Sequence, residues 1–169
     1  GDLETAVASA RTDLGVTMTP VETEGVIHRA VARVELGIFV RRGAFVGTTL
    51  AQLPFAVASH PVSGAVAAYG PLDGWPTDAP PRQVVLRSSA FEARLGTARG
   101  GVAAILAPTF VIARHNEIVN AANRLEPWHG KAPARMRQRI HIVARPHASP
   151  ARAQRIDAVA GSVPALCRV

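Results

Sequence analysis

The segment Arg82–Ile112, RQVVLRSSAFEARLGTARGGVAAILAPTFVI, constrains the fold more than any other part of this 169-residue chain. An apolar run, Val84–Leu86, leads through two serines to Phe91, Leu95 and Ala98, which recur at helical spacing. Ser89 stands three residues before Glu92, the spacing of a reciprocal cap in which each side chain serves the other's amide. Gly100-Gly101 is a helix stop. Val102–Leu106 carries no polar residue, as expected of a strand covered on both faces. A strand feeding a helix at the rim of an open α/β sheet leaves the first helical amides available to a small anion. The pattern predicts ligand binding rather than covalent chemistry.

Composition sets the bounds on this unit. The chain is 48% hydrophobic and 18% charged, ample for a packed core in one domain or two small lobes and unlike a disordered chain. No apolar run approaches the roughly 20 residues needed to span a bilayer, and Gly1–Glu4 opens with acids rather than with the basic segment of a secretory signal. Cys167 is the only cysteine. It excludes an internal disulfide and a cysteine-based zinc cluster, and no base stands beside it in sequence. The net charge of +7 is carried by scattered arginines, with Lys131 the only lysine. The densest run, Arg135–Arg139, has no interleaved aromatic residue and is expected to be a solvated loop rather than a nucleic-acid platform.

Along the chain, Leu3, Ala6, Val7 and Ala10 define a first helix ending by Thr12, followed by a buried strand over Leu14–Met18. Val26–Val31 and Val34–Val40 read as two strands. Leu50–Ala58 ends in another strand, Pro61–Tyr69 is a small-residue helix, and 70–81 is a loop in which Asp73 and Asp78 are solvated. Residues 113–125 form a modest helix or an irregular segment, and Ile140–Arg145 is a strand. Ser149-Pro150 starts the last helix, with serine capping and proline at the first helical position. Alternation of strands and helices predicts an α/β fold on a mostly parallel sheet.

Three segments, taken in order, resemble the C-terminal effector-binding domain of LysR-type transcriptional regulators. These are Asp2–Pro20 (DLETAVASARTDLGVTMTP), Leu50–Ala58, and Arg99–Val111 (RGGVAAILAPTFV). The resemblance implies a two-lobed α/β fold of the periplasmic-binding-protein type (type II), truncated at its N-terminus, with a ligand cleft between lobes. The first lobe is expected from residues 1–54 plus 141–169, and the second from 55–140. The family's winged helix-turn-helix, its linker helix and the first strand, helix and second strand of its effector domain have no counterpart here. DNA binding is therefore expected only through an absent N-terminal domain. The resemblance further implies a cytoplasmic location, no membrane partner, and a homodimer or homotetramer at full length.

Candidate ligand contacts follow from both readings. Ser88, Ser89 and Phe91 stand at the helix start, where free amides and the helix dipole favour a carboxylate. Thr17, Met18 and Thr19 close the first buried strand, Ser59 and His60 close the strand that ends at Ala58, and Thr109 follows the Pro108 turn. A turn-forming threonine and a serine that only caps are the plain structural roles for the same residues. The six histidines show no metal-ligand spacing, and GxSxG and GxxxxGK are both missing. No cofactor and no catalytic residue is expected. The resulting function is binding of a small, carboxylate-bearing effector on behalf of a DNA-binding regulator. A solute-binding transport protein is one alternative. A prephenate dehydratase-like lyase is another, although its Thr-Arg-Phe motif is missing here.

Overall fold

The computed structural model describes residues 2–59, 73–134, 136–146 and 149–167. The helix expected over Pro61–Tyr69, and His60 with it, lie outside the described residues. The chain divides into two compact units, one formed by the chain up to Val34 together with the chain from Gln138, the other by Glu35–Arg137. The division falls at Val34 rather than at residue 54, because strand β2 (Ile27–Arg41) is continuous and its second half pairs within the second unit. Two strands were expected where this single one stands. Its apolar positions are separated only by Ala32 and Arg33, which carry no turn chemistry.

The second unit is organised by β5 (Ala104–Pro108), all five of whose residues are buried. On one side β5 pairs antiparallel with β2, Leu36 opposite Pro108 and Phe39 opposite Ile105. On the other it pairs parallel with β3 (Pro54–Ala58), which pairs parallel with the edge strand β4 (Gln83–Ser88). A short strand, β6 (Leu125–Pro127), lies antiparallel on the other edge of β2. The sheet is thus mixed rather than mostly parallel. Parallel pairing is confined to β3, β4 and β5, and β4 is joined to β5 by a helical crossover of the kind parallel strands require. Helix α2 (Phe91–Arg99) packs Leu95 and Ala98 against Phe39, Ala56 and Ile105, and α3 (Thr109–Ile118) adds Ile112 to the same core. Gly100 ends α2 as expected, and Gly101 takes the left-handed φ of +71° that suits glycine. Buried pairing starts two residues later than expected, leaving Val102 exposed. Helix α3 begins directly at Thr109, so the modest helix expected over 113–125 is instead a regular one that starts earlier and ends at Ile118.

In the first unit, β1 (Leu14–Thr17) pairs antiparallel with β7 (Arg137–Ala144), Leu14 opposite Ala144 and Thr17 opposite His141. The order there is β1-β7-β2. This makes β1 an edge strand, half exposed at Val16, and not the buried strand its composition suggests. The basic segment 135–139 is correspondingly not all loop, since β7 already begins at Arg137. Helix α4 (Pro150–Leu166) starts at Ser149-Pro150 as expected, but the Ser149 side chain does not cap it; the helix packs Ile156, Val159 and Ala160 on Ile142 and Ala144. Asp13 gathers the unit's arginines, with Arg152 at 2.6 Å, Arg155 at 3.7 Å and Arg145 at 3.9 Å. Arg145 also donates to the carbonyls of Val7 and Thr12, tying the end of α1 (Asp2–Ala8) to the end of β7. Among the described residues no helix is long and apolar enough to cross a membrane.

One polar cluster lies inside this unit. Glu4 on α1 is only 2% exposed; its carboxylate accepts the Val21 amide at 3.1 Å and stands 3.8 Å from His28 Nε2. His28 Nε2 and His141 Nδ1 are buried without a hydrogen-bond partner. Burial pushes the His141 imidazole below its ordinary value near 6.5, and the neighbouring charges of His28 and Arg139 push it the same way. A ring held neutral by folding takes up its proton more readily in the unfolded chain, so stability is full above the ordinary imidazole range and declines as pH falls through it. Urea unfolding across pH 7.5 to 5 (an interval of about two units around the ordinary histidine value) is expected to show this decline. His141→Asn is expected to flatten it.

Candidate ligand-binding site

Parallel pairing brings the carboxyl ends of β3, β4 and β5 to one edge of the second unit. The Ser59 amide donates to the Ser88 carbonyl at 3.2 Å, carrying the β3–β4 ladder one step past Ala58 and Ser88. Ser88, Ser89 and the start of α2 follow β4 at this edge, and Thr109 starts α3 at the end of β5. Glu35 is there too, because β2 runs against β5. The Thr109 hydroxyl donates to the Glu35 carbonyl at 3.4 Å, and the Glu35 carboxylate pairs with Arg137 at 3.1 Å. Five of the candidate contacts, Ser59, Ser88, Ser89, Phe91 and Thr109, thus share one sheet edge, the location at which open α/β sheets hold ligands.

The helix start differs from the expected capping box. The cap position is Ala90, one residue later, and no side chain caps α2. Ser88 instead folds back on itself: its hydroxyl accepts the Ala90 amide at 3.2 Å, a local serine turn. Glu92 faces Arg99 at 3.9 Å rather than Ser89. Seryl hydroxyls prefer the nearest amide two residues on, and that competing bond displaced the box. The outcome leaves α2 with first-turn amides that no side chain satisfies, next to an exposed Ser89. Such an end carries partial positive charge, worth roughly 0.3–1 kcal/mol to a nearby anion.

A cationic and aromatic cluster underlies this helix. Asp73 is not solvated; it bonds Arg82 at 2.6 Å, with both side chains less than 15% exposed. The Arg82 guanidinium lies 4.6 Å from the ring centre of Trp75, and that ring meets Phe55 edge-on at 5.3 Å. Arg94 stands over Phe91 at 5.2 Å, with a buried Nε that has no hydrogen-bond partner. Burial lowers its proton affinity and the Asp73 carboxylate partly restores it. Sequence reading passed over Arg94, although its i,i+3 spacing from Phe91 was visible. Arg82 and Asp73 meet only through tertiary packing.

Thr17, Met18 and Thr19 belong to the first unit. Thr17 ends β1, its hydroxyl accepts the Thr19 amide at 3.0 Å, and the Met18 carbonyl accepts from Gln138 at 3.0 Å. That is the turn-forming role open to a threonine before proline. Cys167 is half-buried, and burial raises its thiol, which disfavours the reactive thiolate.

No protein-family model matches the chain, and no curated protein matches it either. Solved structures match it over nearly its whole length. A sulfate-bound variant of the OxyR2 regulatory domain from Vibrio vulnificus superposes with a TM-score of 0.70 at 18% identity, covering 98% of this chain and 77% of that one. The CcmR regulatory domain from Synechocystis in complex with 2-PG gives 0.68 at 14% identity, covering 96% and 80%. A probable transcriptional regulator from Pseudomonas aeruginosa gives 0.66 at 17% identity, covering 93% of this chain and 52% of that one. The present chain therefore spans about half the length of that regulator. The fold is that of LysR regulatory domains, mixed α/β and of the two-lobed periplasmic-binding-protein class.

The Arg82–Asp73 pair is expected to behave as a buried ion pair. Arg82→Met leaves a carboxylate enclosed without its partner and costs about 2–4 kcal/mol of unfolding free energy. The double variant Arg82→Met/Asp73→Asn recovers part of that loss in the same denaturant titration.

Proposed function

We propose that this chain is the effector-binding domain of a LysR-type DNA-binding transcriptional regulator, and that its second unit holds the acidic group of a small carboxylate or phosphate ester. The observation that carries this reading is the uncapped start of α2 at the shared carboxyl edge of three parallel strands. Ser59, Ser88, Ser89 and Thr109 bring hydroxyl groups to the same edge, and hydroxyls orient an anion without neutralising it. Arg87, exposed and without an ion pair among the described residues, adds positive charge one residue before Ser88. Two domains of this fold support the same chemistry, one described with sulfate and the other with 2-PG.

In the complete regulator the ligand acts by differential affinity. It favours one of two arrangements of the effector domain, and can shift them only as far as it prefers that one. Contact with DNA belongs to a separate domain, the protein works in the cytoplasm, and a dimer or tetramer presents paired DNA-binding domains to a two-fold operator. The neighbours of this fold are transcriptional regulators rather than enzymes, and the reading assigns no catalytic step.

Thermal-shift screening against small carboxylates and phosphate esters tests the reading. A true ligand at about a hundred times its Kd raises Tm by roughly 5–11 °C for a domain of this size. Ser89→Asp sets a fixed carboxylate beside the helix start. It is expected to leave Tm of the free chain unchanged or raised, and to weaken the ligand by about tenfold or more. A panel without hits, or hits indifferent to Ser89→Asp, would overturn the assignment.

A further inference from the structure

One pocket of the second unit lies away from the edge just described. It encloses about 640 Å³ and opens beside the amino ends of β3 and β4, between the 44–51 loop, Pro80 and the 126–131 segment. The carboxyl edge is a strand length away, about 16 Å. The volume is in the range of small-molecule sites. Val40, Phe45, Val46, Leu50 and Trp128 supply an apolar lining, in which Val40 and Trp128 are buried and Val46 is 85% exposed.

The local backbone holds this shape at a cost. Phe45 adopts a left-handed φ of 59°, unusual for a bulky residue, between Gly43 and Gly47, both at 73°. The Trp128 amide donates to the Ile38 carbonyl at 2.8 Å, extending the β2–β6 ladder and fixing where the indole stands. The ring then lies on the chain at Gly130, where an added Cβ would fall 2.0 Å from it. Only glycine permits that approach. The indole N–H makes no hydrogen bond among the described residues, and it is not among the sealed polar atoms.

The charge around the pocket is asymmetric. Its one carboxylate, Glu126, is already engaged, accepting the Gly43 amide at 3.0 Å and facing Arg42 at 3.5 Å. Lys131, the only lysine of the chain, lines the rim beside His129, and among the described residues neither makes an ion pair or hydrogen bond. An apolar lining with an uncommitted ammonium at its rim is complementary to one kind of ligand. From this we infer that the pocket is a second ligand site, separate from the proposed effector site, and that it takes an aryl carboxylate with the ring against Phe45, Val46 and Leu50 and the carboxylate at Lys131.

Three probes separate the parts of this argument: 2-naphthoate, its neutral analogue 2-naphthamide, and acetate. Tryptophan fluorescence is expected to saturate with naphthoate, to respond about tenfold more weakly to the amide, and not to respond to acetate. Because Lys131 is the only side-chain amine, acetylation read by mass spectrometry reports the site directly, and naphthoate is expected to shield it. Lys131→Gln lies on the surface, leaves the fold intact, and is expected to bring naphthoate down to the affinity of the amide. Ser89→Asp is expected to leave naphthoate binding unchanged, which keeps this site distinct from the carboxyl edge. No saturation below about 5 mM, or naphthoate binding that survives Lys131→Gln or is lost in Ser89→Asp, would overturn the inference.

Discussion

Strand β5 has no exposed residue, so each of its backbone groups must find a partner within the sheet or pay the full cost of an unpaired buried group. It meets that requirement by pairing on both sides, antiparallel to β2 and parallel to β3. Everything that positions the candidate site descends from this double pairing. The parallel side aligns the ends of β3, β4 and β5, and therefore the starts of α2 and α3, at one edge. The antiparallel side sends β2 the other way, which places the 44–51 loop and the Trp128 pocket at the opposite edge. One buried strand thus separates two chemically different ends of the same small sheet.

Arginine provides the second organising principle. An excess of scattered arginines looks uninformative along the chain, but in three dimensions many have structural partners. Asp13 receives three of them, Asp157 receives Arg29, Glu35 receives Arg137, and Asp73 receives Arg82. Planar guanidinium groups suit such shared and partly buried carboxylates better than an ammonium does. The exposed pairs contribute little each. The enclosed Arg82–Asp73 pair, stacked on Trp75, shapes the surroundings of α2 far more. Lys131 stands apart from this network, and its isolation makes it informative.

The places where sequence reading and structure differ share a cause. Helix starts and stops governed by neighbours in the chain, such as Pro150 at the first helical position and the Gly100-Gly101 stop, came out as read, although the Ser149 side chain makes no capping bond. The capping box did not, because Ser88 found the Ala90 amide first and moved the helix start by one residue. The parallel sheet was over-extended because strand–helix alternation says nothing about β2, which turns no helix before crossing into the second unit. Likewise LGVT is apolar enough for a buried strand, yet it lies at an edge, since period and composition do not reveal how many neighbours a strand has.

By itself the sequence determined the elements with local causes: the amphipathic face of α2, the glycine stop, the unbroken apolar run of β5, and the order of segments that resembles LysR effector domains. Burial and left-handed glycine geometry depend on residues a few positions apart, so they are written along the chain. Tertiary structure alone decided which strand ends share an edge, which carboxylate each arginine finds, and that the buried Glu4 meets the half-buried His28 and His141. It also decided that Trp128 lies on Gly130 beside an unpaired Lys131. Those outcomes depend on pairing between segments tens of residues apart, where the free energy comes from register and burial rather than from any local preference.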